Sequence, residues 1–371
     1  MDMIKNDQEI LADAGPFWAS IERGDALALA EFMENHRQGA GFEMWRNAAG
    51  SSPVVAAASA QKEACVALLA GGARPKDNAR ALLVAAGLGD AASVAHLAPF
   101  SGADDLSRAM RAAAGAGRQE CVLQLLPLYD AKRDYSAALC AAASAGHAKC
   151  VELLIPVSDA SEGGSRALML AVGCGHLDCV ELLAPASPRA ANDSKALRIA
   201  AERGDAECVQ ALLPFSDARS QGSDALCLAA RAGAVDCVRL LIPVSDALAN
   251  GSAALRAAAS CGQEACLRLL IPVSDVKALD SYALKSASTN GHLGCVKALV
   301  EFSEVGLVGD FSALAVTKQA KQAAIAKFIH GWATTDAEKK EIAAVAGSSV
   351  AGSSTKPATE EPRAFAKAPR L

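Results

Sequence analysis

Aromatic side chains are scarce in this sequence: they make up 4% of 371 residues, although hydrophobic residues make up 52%. Few side chains are therefore available to stack on nucleic-acid bases. The apolar content is carried mainly by small residues, which favour closely packed helices. Gly and Pro, at 29 and 14 residues, are at the level of ordinary globular proteins, so collagen-like and low-complexity classes are excluded.

A strong net charge is also missing, because the formal charge is −5. No overall field favours nucleic acid or an anionic membrane surface. Residues 1–15 contain Lys5, Asp7, Glu9 and Asp13 and lack the apolar run of a secretion signal, and no later stretch has the roughly 18 apolar residues of a membrane span. We expect a soluble monomer without membrane partners, either cytoplasmic or delivered to a host cell by a signal-less route.

What the sequence has instead is a repeat. Segments of the form Gly-His-x-x-Cys-Val begin at Gly146, Gly175 and Gly291, and weaker versions continue the series in both directions. The intervals between anchors are 28, 28 and then six times 29 residues. The anchors are Gln61, Gly89, Gly117, Gly146, Gly175, Gly204, Gly233, Gly262 and Gly291.

Each unit predicts a pair of short helices. A Ser stands ten residues before the Gly and predicts the N-cap of the first helix, while the Gly predicts its C-cap. Apolar residues such as Leu139, Ala142 and Ala143 form one stripe of that helix. The second helix follows the Gly, and a Pro ten residues after the Gly is expected to end it, as Pro156 does. Helices this short are stable only when they stack on neighbouring units.

The pattern Ala-Leu-x-x-Ala-Ala-x-x-Gly-His-x-x-Cys-Val-x-Leu-Leu resembles the ankyrin repeat, and the segment from Ser52 to Ala58 comes closest to its Thr-Pro-Leu-His opening. The 29-residue period is shorter than the family's 33, and the missing residues come from the stretch that carries the family's β-hairpin finger. The resemblance implies an all-α solenoid with short loops in place of most fingers, of a degenerate type similar to bacterial ankyrin proteins. It also implies that the first helices line a concave binding surface.

The chain ends are expected to cap the stack. Phe17, Ile21, Gly24 and Leu29 fit a first unit, and a long connection through Trp45 leads to the next. We divide the chain into an N-terminal extension (1–14), a solenoid of about eleven units (15–332), a C-terminal capping helix (333–346) and a flexible tail (347–371).

Eight of the twelve cysteines share the position four residues after the anchor. Equivalent positions in stacked helices lie about 10 Å apart, beyond the roughly 7 Å Cα limit for a disulfide. We interpret these cysteines as small buried hydrophobic residues where ankyrin repeats place Val. Cys174 and Cys261, directly before the anchor Gly, are the candidates for reactive thiols.

Catalytic motifs are absent from the sequence. It contains no Gly-x-Ser-x-Gly elbow, no phosphate-binding Gly-x-x-x-x-Gly-Lys loop and no His-Glu-x-x-His pair. His147, His176 and His292 recur one per unit without converging on one point. We expect no enzyme activity, no cofactor and no bound metal.

Acidic residues recur thirteen positions after the anchor, as in Asp217, Asp246 and Asp275. One interpretation is turn chemistry, with Ser and Asp side chains bonding to the backbone where the chain leaves the second helix. The other is an acidic row that binds a basic partner.

The outward positions of the first helices, from the Gly117 unit to the Gly291 unit, carry nine cations against two carboxylates, Glu202 and Asp224. We predict that this basic row and the adjacent short loops bind a protein partner, and the charge of the row suits an acidic one. The alternatives are a solvated face, an electrostatic nucleic-acid binder, and a secreted bacterial effector acting as an adaptor in a host cell. The nine cations of the basic row are Arg108, Arg111, Arg166, Lys195, Arg198, Arg203, Arg231, Arg256 and Lys285.

Overall fold

A computed structural model describes residues 7–35, 45–130, 136–158, 165–187, 194–302, 327–328 and 331. Within these residues the chain forms twenty α-helices in ten consecutive pairs and no strand. The predicted all-α repeat solenoid is therefore confirmed. The predicted capping helix after residue 332 and the tail lie outside the described residues.

The first helices of the pairs form one layer of the stack. Each packs against the first helices before and after it, so the layer is built from neighbours in sequence. They are α1 (Asp7–Arg23), α3 (Pro53–Ser59), α5 (Pro75–Leu88), α7 (Ala103–Gly115), α9 (Ala137–Ala145), α11 (Ser165–Cys174), α13 (Lys195–Arg203), α15 (Ser220–Ala232), α17 (Ala249–Cys261) and α19 (Ala278–Thr289).

The second helices form the other layer and contact one another in the same order. They are α2 (Ala26–Asn35), α4 (Glu63–Ala70), α6 (Ala91–Leu97), α8 (Gln119–Leu125), α10 (Ala148–Leu154), α12 (Leu177–Ala186), α14 (Ala206–Leu212), α16 (Val235–Leu241), α18 (Glu264–Leu270) and α20 (Leu293–Val300).

The core lies between the two layers and has the composition that the repeat predicts. Leu139, Ala142 and Ala143 of α9 are buried, and so are Cys150 and Val151 of α10. The facing residues are mostly Ala, Leu, Val and Cys, and the small Ala side chains let neighbouring helices approach closely. One continuous cluster of buried residues runs from Phe17 to Leu299.

The prolines do not end the second helix as abruptly as predicted. In most units the α-helix gives way to one turn of 3-10 helix that contains the Pro, as in Ile155–Val157 after α10. In α12 the Pro lies inside the helix, because the helix continues to Ala186 past Pro185. Pro lacks a backbone N–H, but the first positions of a 3-10 turn have no acceptor for one. The turn therefore accommodates the Pro without losing a hydrogen bond.

The loops between units are short where they are described. Only residues 216–219 separate the 3-10 turn after α14 from α15. The long connection toward α3 contains a compact turn, in which the Asn47 N–H donates to the Ser51 carbonyl at 3.0 Å and the Gly50 N–H to the Asn47 carbonyl at 2.8 Å. This is a tight turn without strands, so the described part of the connection is not a full β-hairpin finger.

Candidate functional site

All nine cations of the basic row lie on first helices or at their C-terminal turns, on the side away from the Ala-Leu stripe. Seven of them are exposed, whereas Arg198 and Arg256 are half-buried. The outward positions predicted from the sequence are therefore not all fully exposed to solvent. Their surroundings show what they contact.

Arg198 and Arg231 are ion-paired to the two carboxylates of the same row. Arg198 Nε lies 2.7 Å from Asp224 Oδ2, and Arg231 Nη2 lies 2.8 Å from Glu202 Oε1. Both pairs join α13 to α15, so they connect neighbouring units across the face. The Arg198 contact is one of charge rather than of a directed hydrogen bond, because its Nε has no hydrogen-bond acceptor. Exposed pairs of this kind contribute about 1 kcal/mol or less each.

Arg256 is held by its own unit and the next. Its guanidinium donates to the carbonyls of Gly251 at 3.0 Å and Asn250 at 2.7 Å, and it lies 5.5 Å from the centre of the Tyr282 ring. Tyr282 was the one aromatic residue on this face that could have stacked on a base. Because it already contacts Arg256, the support for nucleic-acid binding becomes weaker still.

The remaining cations are more available. Arg108 makes a loose contact of 3.5 Å with Asp105 of its own helix. Four others, Arg166, Lys195, Arg203 and Lys285, have no ion-pair partner among the described residues. The row is interrupted at α9, where the equivalent positions hold the uncharged Ala137 and the uncharged, buried Cys140. Two basic regions result, one around α7 and one from α11 onward.

Sequence reasoning missed two cations that extend the first of these regions. Lys76 and Arg80 lie one turn apart on α5, and both are exposed. They were not counted because the row was followed only from the Gly117 unit onward. The signal that could have found them is the i, i+4 spacing on a helix that begins at Pro75.

Three of the recurring acidic residues, Asp217, Asp246 and Asp275, serve turn chemistry. Asp246 Oδ1 accepts a hydrogen bond from the Leu248 N–H at 3.0 Å, and Asp275 Oδ1 accepts from the Lys277 N–H at 2.9 Å. These are Asx turns, as the first interpretation predicts. The Ser-Asp pattern thus shapes the loop between units.

The recurring Ser does not cap its own helix as predicted. At Ser194 the backbone is left-handed and no side-chain capping bond forms. The Ser hydroxyl instead accepts a hydrogen bond from the backbone N–H of the Asp in the following loop, at 2.7–2.8 Å for Ser194–Asp217, Ser223–Asp246 and Ser252–Asp275. These bonds join residues 23 positions apart, so each one ties the start of a first helix to the loop that follows the second helix of the same unit.

The recurring His residues also link units. His176 Nε2 lies 3.2 Å from the Ser144 carbonyl, and His292 Nε2 lies 3.1 Å from the Ser260 carbonyl. Where Asp replaces His, as in Asp90 and Asp205, the carboxylate caps the second helix by accepting from an N–H three residues on. Both roles are structural.

The cysteine row is buried, as interpreted from the sequence. All twelve cysteines are free thiols, and the eight at the recurring position are at most 1% exposed. Burial raises the pKa of Cys121 to about 11 and, together with a hydrogen bond to Asp205, that of Cys208 to about 12. A raised pKa keeps the thiol protonated and unreactive at neutral pH. Cys174 and Cys261 are exposed, as predicted.

Across the described ranges, no group of three or more His, Cys, Asp or Glu side chains is placed to hold a metal ion. Within the same ranges, none of the helices combines the length and apolar content that crossing a membrane needs.

Comparison with known proteins gives one family. Residues 109–195 and 186–247 match the family model for ankyrin repeats (3 copies). No curated protein matches the chain. Among solved structures it is similar to the ankyrin repeat domain of Bcl-3, titled a unique member of the IkappaB protein family, at 24% identity over 51% of this chain and 97% of that one, with a TM-score of 0.42.

The match to the family model is what identifies the repeats in this chain. The matched region spans helix pairs that continue in the same form on both sides of it. Ankyrin repeats are generally protein–protein interaction modules. The chain therefore contains ankyrin repeats across residues 109–247.

Proposed function

We propose that the protein is a non-enzymatic interaction module that binds an acidic partner protein along the exposed face of its first helices. The observation that carries the proposal is that both carboxylates on this face are already in ion pairs, so most of its cations lack a counter-charge within the face. Glu202 and Asp224, the two carboxylates of the row, are already paired with Arg231 and Arg198. The cations that remain, such as Arg166 and Lys195, need their counter-charge from another molecule or from solvent ions.

The surface suits a protein partner better than nucleic acid. Salt-dependent contacts to phosphates would use the same cations, but binding of single strands also needs aromatic side chains for stacking. The described first helices offer Tyr282 alone on the row, and Arg256 contacts it. An adaptor role, in the cytoplasm or inside a host cell, is compatible with this binding mode. We propose the cytoplasm as its location and the monomer as its working state.

Charge reversal tests the proposal. The variant Arg166→Glu/Lys195→Glu should stay folded, since exposed charges contribute little to stability, and should recover its partner from a lysate at least tenfold less well. The matched control is Lys149→Glu/Arg239→Glu, which changes the net charge equally on the exposed face of the second helices. Melting curves are recorded for all three proteins.

The control decides the meaning of a loss. If both variants lose the same amount of partner recovery, the loss is caused by net charge alone. If the Arg166/Lys195 variant recovers as much partner as wild type does, the proposal is contradicted. A recovered partner whose affinity falls steeply with salt, and which nuclease treatment removes, would replace it with the nucleic-acid alternative.

A further inference from the structure

The outward faces of α5 and α7 enclose a groove that the row described above only touches. Its volume is about 460 Å³. From α5 it is lined by the stripe Pro75, Lys76, Ala79, Arg80 and Leu83, and from α7 by Asp105 and Arg108. These positions follow i, i+3, i+4 and i+7 spacing on α5, so they are one face of that helix.

The lining has an excess of positive charge. Lys76, Arg80 and Arg108 contribute three cations and Asp105 a single carboxylate. The Arg108–Asp105 contact is long, at 3.5 Å, and both side chains remain partly in solvent. Among the described residues, Lys76 and Arg80 have no ion-pair partner.

The nearest carboxylate on the same helix does not neutralise them. Asp77 is 3.1 Å from Arg46 Nη2 and 3.2 Å from Arg74 Nε, and its side chain is 15% exposed. It is thus already bound by two guanidinium groups and does not line the groove. The negative charge that balances the cations of the groove must therefore come from a ligand or from solvent ions.

The groove also has an apolar floor. Ala79 and Leu83 are half-buried and lie beside the cations. A ligand that fits both features carries a carboxylate and, next to it, an aliphatic side chain. Charged contacts around an apolar contact are the common anatomy of protein interfaces.

We propose that this groove is an anchor subsite for an acidic peptide segment of the partner, in which Asp or Glu is adjacent to Leu, Ile or Val. The inference rests on the proposed function and names where on the face the contact is anchored. The carboxylate contacts Lys76, Arg80 and Arg108, and the aliphatic side chain packs on Ala79 and Leu83. The middle of the row contributes less to partner binding, because its arginines already contact carboxylates or carbonyl groups of the protein itself.

The test uses the full chain and fluorescein-labelled synthetic peptides followed by anisotropy. The first peptide alternates Glu and Leu with Ser spacers, the second has Gln in place of Glu, and the third has Ser in place of Leu. Wild-type protein should bind the first peptide and bind each of the others about tenfold more weakly. Lys76→Glu/Arg80→Glu should bind the first peptide at least tenfold more weakly.

Two reference variants separate this subsite from the proposed function. Lys149→Glu/Arg239→Glu, with the same net charge change on the other face, should bind as wild type does. Arg166→Glu/Lys195→Glu should retain most peptide binding, although it is expected to weaken capture of the whole partner. Hydrogen exchange should slow in α5 and α7 when the first peptide is bound, and not in α15 or α17.

Each outcome has one meaning. Retention of peptide binding by the Lys76/Arg80 variant would overturn the subsite and leave the proposed function intact. Retention of partner capture by the Arg166/Lys195 variant would contradict the proposed function. Absence of binding to wild type, or equal binding of the Glu and Gln peptides, would overturn the subsite, while lysate capture would still decide the proposed function.

Discussion

At the residue scale, two constraints favour Gly at the anchor position: a left-handed backbone conformation and close contact with a side chain of the next unit. Gly146 ends α9 with φ +80°, and its N–H donates to the carbonyls of Ala142 and Ala143. A Cβ atom at this position would lie 2.7 Å from Nδ1 of His176 in the next unit. The Gly therefore permits a left-handed backbone and close stacking of the next unit's ring at the same time.

The replacement Gly146→Ala is expected to destabilise the protein by about 1–3 kcal/mol, because it adds left-handed strain and a steric clash. Gly173 is the matched control, since it lies inside α11 with no atom within 4 Å of the added Cβ. Gly173→Ala should raise stability by about 0.5–1 kcal/mol. Urea unfolding of both variants measures the difference, and equal effects would show that the anchor has no special geometry.

At the element scale, a hydrogen bond ties the loop after the second helix to the Ser at the start of the first helix of the same unit. The Ser223 hydroxyl accepts from the Asp246 N–H at 2.7 Å, and that of Ser252 accepts from the Asp275 N–H at 2.8 Å. Both serines are at most 1% exposed. Removing either hydroxyl leaves a backbone N–H without its acceptor inside the stack.

Ser252→Ala is accordingly expected to cost about 1–2 kcal/mol. Ser136 stands at the equivalent position with the same left-handed backbone, but its buried hydroxyl has no hydrogen-bond partner among the described residues. Ser136→Ala should therefore change stability by less than about 0.5 kcal/mol. Thermal and urea unfolding of the two single variants compare them directly. A similar loss in both would mean that the bond between Ser252 and Asp275 contributes nothing measurable.

These serines also show how far sequence reasoning reaches. The period, the anchor Gly and the buried stripe could be predicted because each depends on residues within one helix or one turn. The Ser hydroxyl bonds 23 residues away, and its left-handed backbone favours that bond over a cap of its own helix. A pattern in one unit reports which face a residue occupies, but it does not report which neighbour it contacts.

The same limit applies to the candidate site. Counting charges correctly predicted an exposed basic face, yet gave Arg198 the same weight as Arg166. Arg198 is paired with Asp224 in the following unit, whereas Arg166 has no such pair in the described part of the chain. The groove between α5 and α7 was missed for a related reason, since a concave space between two helices leaves no mark on the sequence of either.

At the scale of the whole molecule, the repeat places one thiol in the core of almost every unit. Burial raises the pKa of Cys121, Cys237 and Cys295 to about 11, and that of Cys208 to about 12 with added effects of Asp205. In each case burial is the largest cause, because it disfavours the thiolate. Since contacts run only from unit to unit, a charge forced into one core affects the stacking of both neighbours.

The consequence is a loss of stability in alkali. A group whose pKa is raised on folding stabilises the native state fully below its unfolded pKa, near 8.5–9 for a thiol, and the stabilisation declines as pH rises toward the folded value. Between about pH 9 and 11, ionisation of each of these four thiols should cost about 1.4 kcal/mol per pH unit. Melting temperature should therefore fall steeply across this range, and the fall should reverse when the pH is returned.

The control for this prediction is the residue that the family places at the same position. Cys121→Val/Cys208→Val should melt close to wild type at pH 7, because the two side chains are similar in volume, and should lose less stability than wild type at pH 10. All other titratable groups are the same in the two proteins, so the difference between the two pH profiles isolates the thiols. Parallel profiles would show that the buried cysteines do not titrate with unfolding. Thiol counting in denaturant without reductant should find all twelve cysteines free, since a disulfide would remove two of the titrating groups from the comparison.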